Sequence, residues 1–214
     1  MLPFAPEGYP FVLVPALAGI VAWTFGYPAA AIVCWVAMAA CVAFFRDPSR
    51  HADAAPDVVL APADGKVLSV GAAPPALAAR GLERQVSIFM SPANVHVNRA
   101  PVAGTVREAS HTPGAHLPAF RDKASDRNEH SFVLLDGALG PVAYKQIAGS
   151  LARRVVCDLT PGQRVERGSR VGLIKFGSRV DLFLPAAATV VVAPGAVTRA
   201  GVTPVARLAK GNPT

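Results

Sequence analysis

Residues 173–185 read LIKFGSRVDLFLP, a strand-like apolar run with Gly177-Ser178 set at its centre. Glycine weakens a strand interior, and a serine beside it has no evident packing duty there. The texture of the run is repeated upstream. After residue 50 the chain is a series of short Val-rich stretches punctuated by Gly and Pro: DVVLAPADGKVLSVG (57–71), QVSIFMSP (85–92), VHVNRAPVAGTVREA (95–109), HSFVLLDG (130–137) and RRVVCDL (153–159). Strands of this length with regular turn signals predict a mainly β domain, a sandwich or a barrel. An internal echo points the same way. LAPADGKVLSV (60–70) and RAPVAGTVREA (99–109) share A-P-x-x-G-x-V, as two related halves of a small barrel would. PGQRVERGSRVGLIKFG (161–177) has the strand–turn–strand form of lipoyl-type hybrid barrels, and 111–130 reads as a long polar loop.

The first 45 residues are of another kind. They hold no Lys or Arg and one acid, Glu7; from Phe11 to Phe45 there is no charge. Gly26-Tyr27-Pro28 breaks the run into two halves. Each half makes roughly 22–27 Å of helix, a little short of the roughly 30 Å of a bilayer core. A hydrophobic helical hairpin over 1–45 that anchors the chain in a membrane is expected, followed by a β-rich catalytic domain over 46–214. No positive segment precedes the apolar run, which argues against a secretory signal. Arg46 and Arg50 follow it directly, which predicts the cytoplasmic side of the cell (inner) membrane for the second domain.

All 21 basic residues lie beyond Phe45, against 13 of the 14 acids. A basic domain behind an apolar leader fits an anionic phospholipid surface. Nucleic acid is not expected, because the basic residues are scattered and no reading motif is present. Three scattered cysteines make neither a disulfide framework nor a zinc site, and no metal-ligand spacing stands out.

A serine hydroxyl can attack the preceding carbonyl if a base takes its proton and donors steady the oxyanion. Glycine before it permits the unusual backbone this requires. Asp64, at the PADG turn, and His96, between two valines, are the available orienter and base. Either residue alone reads by default as an ordinary turn or strand residue, and spacing does not bring them to Ser178.

The segments FFRDP (44–48), PADGKV (62–67), FMSPANVHVNRAPVAGTV (89–106), DKASDRNEHS (122–131), KQIAGSLARRVV (145–156) and GQRVERGSRVGLIKFGSRVDLFLP (162–185) together resemble the phosphatidylserine decarboxylase family in its short bacterial form. The resemblance implies self-cleavage between Gly177 and Ser178, giving a β chain (1–177) and an α chain (178–214) held as a heterodimer. It also implies a pyruvoyl cofactor made from Ser178, which would decarboxylate phosphatidylserine through a Schiff base. Asp64 matches the family's relay aspartate. Longer members carry H-x-x-H where this chain has His96-Val97-Asn98-Arg99. Either His96 therefore serves as the base, or another base does, or Arg99 contributes oxyanion stabilisation alone. Arg99, Lys145, Arg153 and Arg154 are the residues expected to meet the lipid phosphate or carboxylate. A decarboxylase of another serine-headed lipid, a non-enzymatic lipoyl-like or adaptor module and a serine hydrolase are the competing readings. Whether the chain forms a homo-oligomer is left open.

Overall fold

The computed structural model describes residues 4–115, 127–149, 154–175 and 178–209. They fall into two compact units, Met1–Ser49 and Arg50–Thr214.

The first unit is the expected helical pair, α1 (Tyr9–Thr24) and α2 (Pro28–Phe44), entered by a short 3-10 turn at Pro6–Gly8. The chain reverses at Gly26, whose φ of 80° lies in the left-handed region that glycine enters without penalty. Small residues let the helices meet: a Cβ on Gly19 would run into the Trp35 indole. The Trp23 and Trp35 rings lie 5.8 Å apart, and Phe11 stacks on Phe45 at 5.3 Å. The remaining side chains leave Leu13, Val14, Leu17, Ile20, Ile32, Val33 and Val36 exposed all round the pair. Apolar exposure on this scale is costly in water and suggests association with a membrane. The helical stretch Pro6–Thr24 is long and apolar enough to cross a membrane.

The second unit is β. Its first strands are β1 (Val58–Leu60), β2 (Gly65–Ala72), β3 (Arg84–Met90), β4 (Val97–Arg99) and β5 (Gly104–Thr112). Then come β6 (His130–Gly137), β7 (Gly140–Ala148), β8 (Arg154–Val156), β9 (Arg164–Val165) and β10 (Arg170–Lys175). The last four are β11 (Ser178–Leu184), β12 (Thr189–Val190), β13 (Val197–Thr198) and β14 (Pro204–Arg207). One antiparallel sheet of eight runs β13-β2-β3-β11-β7-β6-β5-β9 and curls into a half-barrel. Two three-stranded sheets, β4-β10-β8 and β1-β14-β12, complete the unit. The inner face buries Val67, Val86, Ile88, Met90, Val133, Tyr144, Val180 and Leu182 in one core. The outer face carries a smaller cluster of Leu82, Phe132, Leu134, Ala143 and Phe183. His111 lies in β5, which ends at Thr112, and His130 begins β6, so the segment read as a loop over 111–130 is strand at both its ends.

The sequence echo is a structural duplication. In each copy a strand ends, a turn follows, and the shared glycine opens the next strand: β1 to Gly65, and β4 to Gly104. Both glycines lie against a neighbouring strand's backbone. A Cβ on Gly65 would strike the Phe89 carbonyl oxygen, and one on Gly104 would sit 2.5 Å from that of Asp136. The copies also exchange equivalent bonds. Leu60 N–H donates to Pro101 O at 2.9 Å, and Arg99 N–H to Pro62 O at 3.0 Å. The Val67 carbonyl accepts from Gly195, and the Val106 carbonyl from Gly162, both at 2.8 Å. The bulges match as well, between Val67 and Ser69 in β2 and between Val106 and Glu108 in β5. A bulge on each half sharpens strand twist and bends the sheet, which is how eight strands curl.

Within this matched pair the turns differ at one position that bears on chemistry. Asp64 in the first copy is Ala103 in the second. The second turn folds with a methyl group there, so the turn itself does not require a carboxylate.

Candidate active site

Ser178 opens β11, the strand between β3 and β7, opposite Met90 on one side and Ala148 on the other. Side chains alternate along a strand, and Val180, Leu182 and Leu184 face the inner core. Ser178 therefore faces inward with them. It is fully buried, and its hydroxyl donates to the Met90 sulfur at 3.2 Å. A thioether is a weak acceptor and takes up no proton, so among the described residues the hydroxyl is sheltered but not committed to a strong partner. Gly177 lies outside the described residues.

His96 is fully buried just before β4. Its Nδ1 is 2.9 Å from the Asn94 carbonyl oxygen. A carbonyl only accepts, so Nδ1 carries the hydrogen and the lone pair of the neutral ring is at Nε2, the nitrogen that can act as a base. Asp64 is nearly buried, and its carboxylate is gripped by Arg50. Arg50 Nη2 donates to Oδ2 at 2.8 Å and Nη1 to Oδ1, while the Ala200 N–H donates to Oδ1 at 2.7 Å. The described partner that sets the His96 ring is thus the Asn94 carbonyl, and the described partners of Asp64 are Arg50 and Ala200. Nothing in the sequence marked Arg50 for this part.

The four basic residues expected at substrate are placed differently from one another. Arg99 donates to the Gly168 carbonyl at 3.1 Å. Lys145 is opposite Asp181 in the ladder, on the outer face of the sheet from Ser178. There Arg179 binds Asp181 at 2.6 Å and Ser87 at 2.9 Å, a buried polar tie between β11 and β3. Arg154 is exposed at the start of β8, paired in register with Lys175, three residues before Ser178. Arg153 lies outside the described residues.

A cleft of about 570 Å³ lined by Val102, Ala103, Leu139 and Arg167 sits at the β6–β7 hairpin. That hairpin is eight residues along β7 from Ala148, the neighbour of Ser178, which is roughly 27 Å at 3.4 Å per residue. Arg167 spends its guanidinium on the carbonyls of Ala54, Ala55 and Val58, and Asp57, the cleft's carboxylate, pairs with Arg207, so the walls are otherwise mostly apolar.

Tyr144 is buried in the same core as Ser178, and its hydroxyl has no hydrogen-bond partner among the described residues. Burial, with Cys157 nearby, pushes its pKa well above the usual phenol value, and burial pushes the Cys157 thiol up as well. An unfolded phenol ionises near pH 10, roughly. Above that pH the unfolded chain binds fewer protons than the folded one, so stability falls as pH rises. Tyr144→Phe is expected to melt at or above the wild-type temperature at neutral pH, because it deletes an unpaired polar group. It should also lose less stability than wild type between about pH 9 and 11. Melting curves of the two proteins across that range check this; a Phe variant several degrees less stable at neutral pH would contradict it.

The described lysines, Lys66, Lys145 and Lys175, all lie within strands. None presents the hairpin-tip amine on which a carrier domain depends. What the described residues place here instead is a sheltered Ser178 hydroxyl, a buried His96 whose Nδ1 faces a carbonyl, and the Asp64 carboxylate that the duplicate turn lacks. The family model for phosphatidylserine decarboxylase matches residues 37–206. A phosphatidylserine decarboxylase proenzyme of Magnetococcus marinus is 46% identical over 209 residues, covering 95% of this chain and 94% of the relative. Proenzymes of the same name from Paramagnetospirillum magneticum and Azorhizobium caulinodans are 44% and 41% identical, covering 96% and 95% of this chain and 87% and 88% of theirs. The chain belongs to the phosphatidylserine decarboxylase family and is a decarboxylase-type enzyme.

Proposed function

We propose that this chain is a proenzyme that cleaves itself between Gly177 and Ser178 and then converts phosphatidylserine to phosphatidylethanolamine and carbon dioxide. The observation that carries the reading is Ser178 itself. In a chain of this family, a fully buried serine opens a central strand, and among the described residues its hydroxyl donates to a thioether.

In maturation the Ser178 oxygen attacks the Gly177 carbonyl carbon, the peptide nitrogen leaves, and the amide becomes an ester. Loss of the Ser178 Cα proton then expels the Gly177 carboxylate, and hydrolysis of the resulting enamine releases ammonia and leaves a pyruvoyl group. His96 Nε2 is the base we assign to the first proton. Asp64 acts from the turn it shares with Pro62, holding Arg50.

The site fits such a group on one count in particular. No strong acceptor depends on the Ser178 hydroxyl among the described residues, so exchanging it for a ketone orphans nothing but a sulfur contact. The group supplies an electrophile for the substrate amine and a sink for the electrons released with carbon dioxide. Met90 and Ala148 flank it in the ladder and, with the core behind them, keep water away. Arg154 and Lys175, adjacent at the approach to Ser178, suit the lipid's phosphate and carboxylate.

The apolar helices would hold the enzyme in the membrane that contains its substrate, with the basic domain against an anionic leaflet on the cytoplasmic side. The test is the intact mass of detergent-extracted protein under denaturing conditions, with product analysis on phosphatidylserine vesicles. Two chains are expected, residues 1–177 and the remaining 37 of 214. The smaller should be lighter by one ammonia and blocked to N-terminal sequencing. A single intact chain from active membranes would overturn the proposal, and turnover of a different serine-headed lipid alone would overturn its substrate.

A further inference from the structure

Three fully or almost fully buried polar side chains in the inner core, Ser131, Gln146 and Asn98, form a chain of hydrogen bonds that the Met90 sulfur joins to Ser178. Ser131 Oγ donates to Gln146 Oε1 at 2.7 Å, and Gln146 Nε2 donates to Asn98 Oδ1 at 2.8 Å. Asn98 Nδ2 donates to the Pro62 carbonyl at 3.4 Å and approaches Met90 Sδ at 3.6 Å. That same sulfur receives the Ser178 hydroxyl. The direction of the chain is not arbitrary. The Pro62 carbonyl only accepts, which turns the Asn98 NH2 toward it and the Asn98 oxygen toward Gln146. Gln146 must then present its own NH2, leaving its oxygen for the Ser131 hydroxyl.

Asn98 is the junction. It is two residues from His96 in the chain, it bonds the carbonyl two residues before Asp64, and it shares a sulfur with Ser178. The packing around it is built to admit it: Gly172 lies opposite Asn98 in the ladder, and a Cβ there would strike the Val156 carbonyl and come within 2.9 Å of Gln146 Nε2. An apolar side chain would fill a barrel interior at less desolvation cost, so a buried amide pair oriented in this way calls for a reason beyond packing.

We infer that Asn98, oriented by Gln146, is a positioning residue for self-cleavage. It holds the Pro62–Asp64 turn, the His96 segment and the Met90–Ser178 contact in one frame, so that the hydroxyl meets the base and the Gly177 carbonyl in register. The inference rests on the maturation reading above. A misplacement of about 1 Å costs a positioned reaction on the order of 100-fold, so Asn98→Ala should cleave about 10- to 100-fold more slowly than wild type while remaining folded.

The informative variant is Asn98→Asp. An ionised carboxylate has the shape of the amide but no hydrogen to donate to Pro62 or Met90. Protonated, it regains one, and burial makes protonation easier. Its cleavage rate relative to wild type should therefore rise as pH is lowered from about 8 to 5.5, and it should do so where melting curves show the variant fully folded throughout that range, which a purely structural role does not produce. Gln146→Met, which unties Asn98 from the other side, should slow cleavage in the same direction.

The experiment is a pulse–chase of the full chain synthesised cell-free with lipid vesicles, following loss of the intact 214-residue polypeptide, with a melting curve on each variant. Slow Asn98→Ala cleavage together with low-pH recovery of Asn98→Asp supports the inference. Folded variants that cleave at the wild-type rate overturn it, as does slow cleavage without pH recovery. A wild-type chain that never cleaves overturns the maturation reading itself.

Discussion

On the proposed maturation, a Ser178→Ala chain is expected to remain a single 214-residue polypeptide and to release no carbon dioxide from phosphatidylserine, while melting close to the wild-type proenzyme. The size of the effect follows from the proposed chemistry: without the hydroxyl there is no nucleophile for the Gly177 carbonyl and no ester whose elimination leads to the pyruvoyl group. The small effect on folding follows from the contact that is lost. The hydroxyl donates to a sulfur at 3.2 Å, and even an ordinary neutral hydrogen bond contributes only about 0.5–1.5 kcal/mol net. Alanine leaves the methyl-sized volume against Ala148 and Met90 intact. Denaturing electrophoresis separates the two chains from the one, and a melting curve shows that the uncleaved variant is folded. Cleavage of Ser178→Ala at the same bond would remove Ser178 from the mechanism.

The second large effect is expected at the Arg50–Asp64 pair. Both side chains are only 10% exposed, and the carboxylate is held by both guanidinium nitrogens and by the Ala200 N–H. Removing one partner strands a charge that water cannot reach, which typically costs about 3–5 kcal/mol. For a domain of this size that is a fall of roughly 6–20 °C in melting temperature. Asp64→Ala and Arg50→Ala should each show it. Arg50→Met combined with Asp64→Leu should recover most of it, because a buried ion pair is replaced by apolar volume at little net cost. Single variants within about 1 kcal/mol of wild type would mean that the pair behaves as a screened surface contact. The double variant also separates two roles of Asp64. If it folds and still cleaves, the carboxylate serves placement of the turn; if it folds and stays whole, the charge itself is needed for maturation.

Much of the architecture was legible because it depends on local pattern. The uncharged run to Phe45 and its Gly26-Tyr27-Pro28 break specify two helices and a reversal. The Val-rich stretches emerge as strands, β3, β6 and β11 among them, and A-P-x-x-G-x-V marks a duplicated turn whose glycines, Gly65 and Gly104, are demanded by backbone contact. The site was legible only in part. Motif resemblance singled out Asp64, His96 and Ser178, yet nothing local reveals that Arg50 takes the Asp64 carboxylate or that the Asn94 carbonyl sets the His96 tautomer. Lys145 looked like any other basic residue, and only strand alternation assigns it to the outer face, opposite Asp181 and away from Ser178.

Composition and spacing by themselves determined the apolar leader, the β character of the rest and the internal repeat, because each is written in residues close together in the chain. Which groups meet was decided only by the tertiary structure. Met90, Asn98, Gln146 and Ser178 come from four strands, β3, β4, β7 and β11, and their hydrogen bonds exist because strand order and register bring those positions to one point in the core. A methionine, two amides and a serine scattered over 88 residues carry no signature until that register is known.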